Sequence, residues 1–122
     1  MFMEIKKELK YLETHEWFDA KNGTVGISDY AQGEMGDVVF VELPEVGDTV
    51  TADKSCATVE SVKAVFDIIS PVSGEVIEVN EELSDAPEKI NENAFGSWFF
   101  KVKVSGESGK LMDASEYEKL CK

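Results

Sequence analysis

The chain has 122 residues and 43% hydrophobic content, which is enough for one compact domain with its own core and too short for two. Its 25 acidic and 12 basic side chains give a formal net charge of −13, which repels phosphate backbones and anionic membrane surfaces and argues against nucleic acid and membrane partners. The longest apolar runs, such as Val38 to Val41, fall far short of the roughly 20 residues that cross a bilayer, so no membrane span is expected.

The N-terminal segment contains lysines, but it has neither the long apolar stretch of a secretory signal nor the Arg-rich, acid-poor composition of a transit peptide. We therefore expect a cytoplasmic chain in which residues 1–10 form an extension and residues 11–122 form a single domain. Cys56 and Cys121 lie far apart without metal-ligand spacing, which predicts two free thiols and no metal site. The acidic surface fits either simple solvation or docking onto basic patches of larger partners, and a monomer is the simplest expectation.

The first elements follow a β pattern. Most segments are short, rich in Val, Ile, Phe and Thr, and separated by Gly, Asn, Asp or Pro, which is typical of a mainly antiparallel β domain. Residues 16–18 and 24–27 flank Lys21-Asn22-Gly23 and predict a hairpin, because Asn-Gly readily takes the positive φ values of a tight turn. Ser28 is placed to cap a short helix that runs through Met35, and Gly36 is placed to end it.

The remaining elements are predicted along the rest of the chain. Strands are expected at residues 38–43, 56–62, 65–69, 75–79 and 99–104; in the last of these, lysines alternate with apolar residues, so one face is buried. Pro87 suits a first helical position and predicts a single helical turn over residues 87–91. Asp113 and Glu116 have capping-box spacing, with Met112 and Tyr117 at the positions of a hydrophobic staple, and predict a terminal helix through Leu120.

Lys63 lies between two of these strand-like runs and is therefore predicted at the tip of a hairpin. A lysine in a turn is, on its own, typical of a solvated charge that discourages aggregation.

The sequence around Lys63 resembles the lipoyl-attachment region of glycine cleavage H proteins, in which Glu-Ser-Val-Lys-Ala and Ser-Pro-Val-Ser-Gly-Glu-Val bracket the modified lysine. These two strings are residues 60–64 and 70–76 here. Further similar segments occur in the family's order at residues 14–17, 25–32, 36–47 and 79–81. The similarity extends from about Tyr11 to Leu120 and thus covers nearly the entire chain.

This resemblance implies a fold and a function. The fold is a lipoyl/biotinyl-type flattened barrel-sandwich hybrid of antiparallel strands, with a short helix near residues 29–35 and a C-terminal helix. The function is that of a non-catalytic carrier with lipoate in amide linkage on Lys63. The arm accepts an aminomethyl group from a pyridoxal-phosphate glycine decarboxylase, passes it to a folate-dependent aminomethyltransferase, and is reoxidised by a flavin dihydrolipoyl dehydrogenase.

The resemblance also implies roles for two further sets of residues. A lipoyl-attaching enzyme recognises the glutamate three residues before the lysine and two glycines around it, which correspond to Glu60, Gly47 and Gly74. The resemblance further implies that the loaded arm folds into a cleft, at positions that correspond to Thr14, Glu16 and Asp67. Carboxylates in such a cleft favour the charged, less reactive form of the amine, whereas ordinary solvation at strand edges is the alternative for both acids.

Some positions depart from the family and leave alternatives open. Residues 93–98 lack a proline common in that loop, Val65 and Phe66 are bulkier than usual, and residues 55–57 stand where glycines are common. A divergent H-like protein that relays lipoyl groups, or that serves another lipoate-dependent system, is one alternative; an unmodified β-sandwich interaction module is another. A biotin carrier is disfavoured because Val62 and Ala64 stand where that family has methionines.

An enzyme built on the lone histidine or a cysteine is the weakest hypothesis. His15 has no Ser or Cys partner at a recognised spacing, so a structural imidazole is expected. Cys56 has anionic neighbours in sequence, Asp53 and Glu60, which would raise the pKa of its thiol if they were close, and a buried or half-buried position is expected.

Overall fold

The computed structural model describes residues 4–121, which contain nine β-strands and four short helices. The strands are β1 (Lys10–Tyr11), β2 (Glu16–Asp19), β3 (Thr24–Ile27), β4 (Val38–Glu42), β5 (Thr49–Val50), β6 (Ser55–Ser61), β7 (Val65–Ile69), β8 (Val72–Val79) and β9 (Phe100–Glu107). The helices are α1 (Asp29–Met35), α2 (Glu82–Asp85), α3 (Lys89–Glu92) and α4 (Ala114–Leu120).

The strands form two antiparallel sheets. One has six strands in the order β1-β2-β3-β9-β8-β5, and the other has three in the order β4-β6-β7. Apolar side chains from both sheets form one buried cluster, whose largest members include Phe18, Phe99 and Phe100, together with Ile68 from β7. The prediction of a mainly antiparallel β domain with short helices is confirmed.

The first hairpin and the first helix form where local signals predict them. β2 pairs with β3 in the register Trp17↔Gly26, and the turn between them contains Gly23 at φ +78°. The Ser28 side chain accepts the backbone N–H of Ala31 and so caps α1. Gly36, also at φ +78°, ends this helix as predicted.

Several boundaries differ from the prediction. β8 begins at Val72 rather than at residue 75, and β9 extends to Glu107, because these two strands pair with each other along most of their length. The predicted turn at residues 87–91 is α3, which begins at Lys89, so Pro87 precedes the helix instead of opening it. The short elements β1, β5 and α2 were not predicted.

The C-terminal helix closes a second, smaller cluster on the six-stranded sheet. Asp113 and Glu116 form the predicted capping box, in which each side chain bonds the other residue's backbone N–H. Tyr117 is fully buried and stacks on Tyr11 with ring centroids 4.3 Å apart. Leu9, Trp17 and Ala114 complete the cluster, and Met112, the other predicted staple residue, packs against it.

Within residues 4–121 none of the helices has the length and apolar character needed to cross a membrane.

Candidate functional site

Lys63 lies at the tip of the hairpin formed by β6 and β7, as predicted. Glu60 and Val65 are the last paired residues, which leaves a connection of only a few residues. The Ser61 N–H donates to the Ala64 carbonyl at 2.9 Å, and the Ser61 hydroxyl accepts the Lys63 N–H at 3.1 Å. These two bonds fix the backbone of the tip, so the lysine side chain starts from a defined position.

The Lys63 side chain is exposed and extends over the end of α1. Its Nζ donates to the carbonyl of Glu34 at 3.2 Å. A Cβ built on Gly36 would meet the Lys63 Cε at 3.4 Å, so the lysine stem passes close to this glycine. The Val62 N–H donates to the Asp37 carbonyl at 3.0 Å and ties the tip to the same segment. An exposed amine on a rigid turn fits acylation by a carboxylic acid.

The contacts between the tip and α1 were missed in the sequence. Two of the three groups involved, the carbonyls of Glu34 and Asp37, belong to the backbone, so no residue type signals them. Gly36 was expected only as a helix end. Gly36 also leaves room for the Lys63 stem, because it has no side chain. This role depends on the packing of α1 against the hairpin, so the local sequence does not reveal it.

The three predicted recognition residues lie in two places. Glu60 is exposed on β6, directly opposite Val65. Gly74 lies on β8 of the other sheet, opposite Val50, and Gly47 lies just before β5, where its N–H donates to the Val76 carbonyl at 2.8 Å. Among residues 4–121, no hydrogen bond joins either glycine to the Lys63 hairpin.

Gly74 has a structural reason to be glycine. Its φ is +152°, and a Cβ at this position would lie 2.2 Å from the carbonyl oxygen of Lys103. No other residue fits such a close approach of two backbones without moving one of the strands. Gly47 has φ +97° but open space around its Cα, so only its backbone conformation favours glycine there.

The structure joins two of the three predicted cleft residues, Thr14 and Glu16, and a bond from the Ile69 backbone links them to β7, the strand that carries Asp67. The Thr14 hydroxyl donates to the Glu16 carboxylate, whose other oxygen accepts the Ile69 N–H at 2.8 Å. Asp67 lies two residues before Ile69 and is exposed, as is Thr14. The expectation of ordinary strand-edge solvation does not hold for Glu16, because its side chain is only 1% exposed.

Burial changes the acid strength of Glu16. Desolvation of the charged form raises the pKa of this carboxyl to about 7, although the hydrogen bonds from Thr14 and Ile69 act in the opposite direction. The thiol of Cys56 responds to the same environment. Burial, and then the charge of Glu16, raise its pKa to about 12, whereas the sequence had pointed to Asp53 and Glu60 as the sources of that charge. Cys56 is therefore a weak nucleophile.

His15 lies in a network that holds the loop before β2. Its Nδ1 lies 2.8 Å from the hydroxyl of Tyr117, and that hydroxyl lies 2.5 Å from the Oγ of Ser28. The ring of Tyr30 packs against the imidazole with centroids 4.7 Å apart. Desolvation lowers the pKa of His15, which favours a neutral imidazole in a structural position.

Comparison with known proteins agrees with this geometry. The family model for the glycine cleavage H-protein matches residues 9–122. The glycine cleavage system H protein of Treponema denticola is 74% identical over 122 residues, which is 98% of this chain and 100% of that protein; its counterpart in Shewanella frigidimarina is 54% identical, with 95% of both chains covered. The crystal structure of a glycine cleavage system H protein from Mycobacterium marinum superposes with a TM-score of 0.89 at 41% identity, covering 94% of this chain and 97% of that one. The chain therefore belongs to the glycine cleavage H-protein family, whose members are non-catalytic lipoyl carriers of the glycine cleavage system.

Proposed function

We propose that Lys63 carries lipoate in amide linkage and that this carrier acts through the lipoyl group on that residue. The observation that supports the proposal is the position of Lys63 alone at the tip of a short hairpin, with an exposed amine and a hydrogen-bonded backbone. When bound, lipoate would supply a dithiolane disulfide that takes up the aminomethyl group and the electron pair released by decarboxylation of glycine.

The residues around the tip suit both states of the lysine. The Lys63 ammonium group loses two protons on becoming an amide. The first loss gives the neutral amine that attacks the activated carboxyl, and the second occurs as the leaving group departs. The resulting amide keeps one N–H on Nζ, and the Glu34 carbonyl that accepts from the amine at 3.2 Å can accept from this N–H as well. Glu34 and the Ser61 hydroxyl therefore hold the base of the arm before and after acylation.

We assign recognition by the lipoyl-attaching enzyme to Glu60, Gly47 and Gly74. Glu60 is exposed on the strand that leads to Lys63, so its carboxylate is available to a basic group of that enzyme. Gly47 and Gly74 act by shaping the β5–β8 pair, because one has a positive φ and the other leaves no room for a side chain.

Thr14, Glu16 and Asp67 line the cleft that shelters the loaded arm. Thr14 and Asp67 are exposed and can meet an amine at the end of the arm, whereas Glu16 is buried behind Thr14 and bonded to it. A charged amine beside these acids is stabilised in its ammonium form, whose nitrogen has no free electron pair and is therefore a poor nucleophile.

The partners that follow are the enzymes of glycine cleavage. A pyridoxal-phosphate glycine decarboxylase loads the arm, a tetrahydrofolate-dependent aminomethyltransferase unloads it, and a flavin dihydrolipoyl dehydrogenase restores the disulfide. A lipoyl-attaching enzyme acts once on each chain. The departures at residues 55–57, 65–66 and 93–98 leave Lys63 itself unchanged.

Intact-mass measurement after treatment with a lipoyl ligase and lipoate tests the attachment site. We expect one lipoyl adduct on the wild-type chain and on Lys54→Arg, a control at another exposed lysine, and no adduct on Lys63→Arg. Glu60→Gln should be acylated at least tenfold more slowly than Glu42→Gln, which removes an exposed acid from the neighbouring strand. An adduct on Lys63→Arg, or none on the wild type under conditions that modify another H protein, would contradict the proposal.

A further inference from the structure

Exposed apolar side chains cluster beside the Lys63 hairpin. Val39 is 50% exposed, Phe40 53%, Val62 67% and Val65 64%, and none of these side chains belongs to the buried core. We refer to these four residues as the apolar patch. Single exposed apolar residues are ordinary on protein surfaces, but a contiguous group is typical of an interaction site.

The pairing of the strands makes the patch contiguous. Phe40, Glu60 and Val65 are direct partners across β4, β6 and β7, so Phe40 and Val65 flank Glu60 on one face. A β-bulge between Val38 and Phe40 breaks the alternation of β4, and both Val39 and Phe40 are exposed as a result. Val62 extends the patch to the residue before Lys63.

Acidic residues lie within and beside the patch. From residue 33 to residue 69 the sequence has eight acids and two lysines, one of which is Lys63 itself. Glu42 and Asp67 are exposed on either side of Thr58 in the next row of the same face, and Glu60 lies between Phe40 and Val65. Acylation of Lys63 removes one of the two positive charges and makes this surface more acidic still.

We propose that the apolar patch and its acidic rim are the docking surface for the glycine decarboxylase, with Phe40 as the main anchor. This inference rests on the proposed function of Lys63. The surface adjoins the base of the arm, so a partner that receives the arm covers it. An enzyme that binds the carboxylate of glycine and the phosphate of its cofactor needs cations near its active site, and these complement the acidic rim. The half-exposed phenyl ring of Phe40, the largest side chain of the patch, fits an apolar depression in that basic surface.

Binding of the decarboxylase holoenzyme, measured by calorimetry with unacylated and with lipoylated carrier, tests the proposal. Phe40→Ser should raise the Kd at least tenfold in both forms and Val62→Ser severalfold, because truncation of an interface anchor has effects of this size. Ile77→Ser is the matched control, since Ile77 is 46% exposed on β8 of the other sheet, and its Kd should stay within twofold of wild type. The wild-type Kd should also rise with salt concentration.

Two outcomes would overturn the proposal. One is a Phe40→Ser Kd within twofold of wild type while its thermal unfolding is unchanged. The other is a wild-type dimer, detected by sedimentation, that Phe40→Ser abolishes while decarboxylase binding stays intact. The patch would then bind a second copy of this chain. The mass of each lipoylated sample is recorded first, so a missing adduct reports failure at Lys63 and not at the docking surface.

Discussion

Replacement of Glu16 by glutamine should make the stability of the protein much less dependent on pH. Burial raises the pKa of this carboxyl from its ordinary 4.5 to about 7. Between these pH values the folded chain therefore holds a proton that the unfolded chain has released. The contribution of Glu16 to stability is fully present below pH 4.5 and is lost as the pH rises through 7. Glutamine has the same shape and no charge, and its amide can keep bonds to both Thr14 and Ile69.

The size of the effect follows from the two pKa values. From pH 5 to pH 8 the wild-type free energy of unfolding should fall by about 2.5 kcal/mol relative to that of Glu16→Gln. His15 acts in the opposite direction, because its pKa is lowered and its stabilising contribution is lost below about pH 6.5. Both proteins contain His15, so the difference between them isolates Glu16. The thiol of Cys56 ionises above this range.

The assay is urea unfolding of the unacylated protein at pH 5, 6, 7 and 8, followed by the fluorescence of the two tryptophans. It gives the free energy of unfolding of wild type and of Glu16→Gln at each pH. Glu42→Gln controls for the loss of one negative charge, because Glu42 is exposed on β4. A wild-type minus Glu16→Gln difference that stays constant to within about 0.5 kcal/mol across the range would refute the reasoning.

Three other substitutions test contributions to stability. Gly74→Ala should lower the free energy of unfolding by about 2 kcal/mol or more, because the new Cβ would lie 2.2 Å from the Lys103 carbonyl. Gly33 is exposed in α1, with open space around it. Gly33→Ala should therefore raise the free energy of unfolding by about 0.5–1 kcal/mol. Thermal unfolding of both variants measures these opposite effects. Tyr117→Phe should cost about 1–3 kcal/mol, because its hydroxyl serves the buried Ser28 and the half-buried His15, and a urea midpoint equal to that of wild type would contradict this role.

Local signals were sufficient for much of the fold. Asn22-Gly23 determines the first hairpin, the side chain of Ser28 caps α1, and Asp113 with Glu116 starts α4. Each of these signals acts within a few residues, so the sequence carries it without knowledge of the partner elements. The position of Lys63 was predictable for the same reason, because two strand-like runs flank it.

The remaining features depend on partners distant in sequence. β1 and β5 have two residues each and exist only because Tyr11 pairs with Trp17 and Val50 pairs with Gly74. The burial of Glu16 likewise depends on how β2 packs beside β7 of the other sheet. No propensity or spacing at residue 16 could reveal that a carboxyl group there bonds a backbone N–H fifty-three residues away.

The bond from Ile69 to Glu16 has a consequence for self-association. β7 is an outer strand of its sheet, and such a strand offers unpaired backbone groups to any extended chain that approaches. Glu16 already occupies the N–H of Ile69, and the exposed charge of Asp67 lies two residues away. An incoming strand would have to displace a buried carboxylate and bring its carbonyls next to an anion. The β7 edge is thereby protected against the strand-to-strand stacking that leads to fibres, next to the exposed Val65 of the apolar patch.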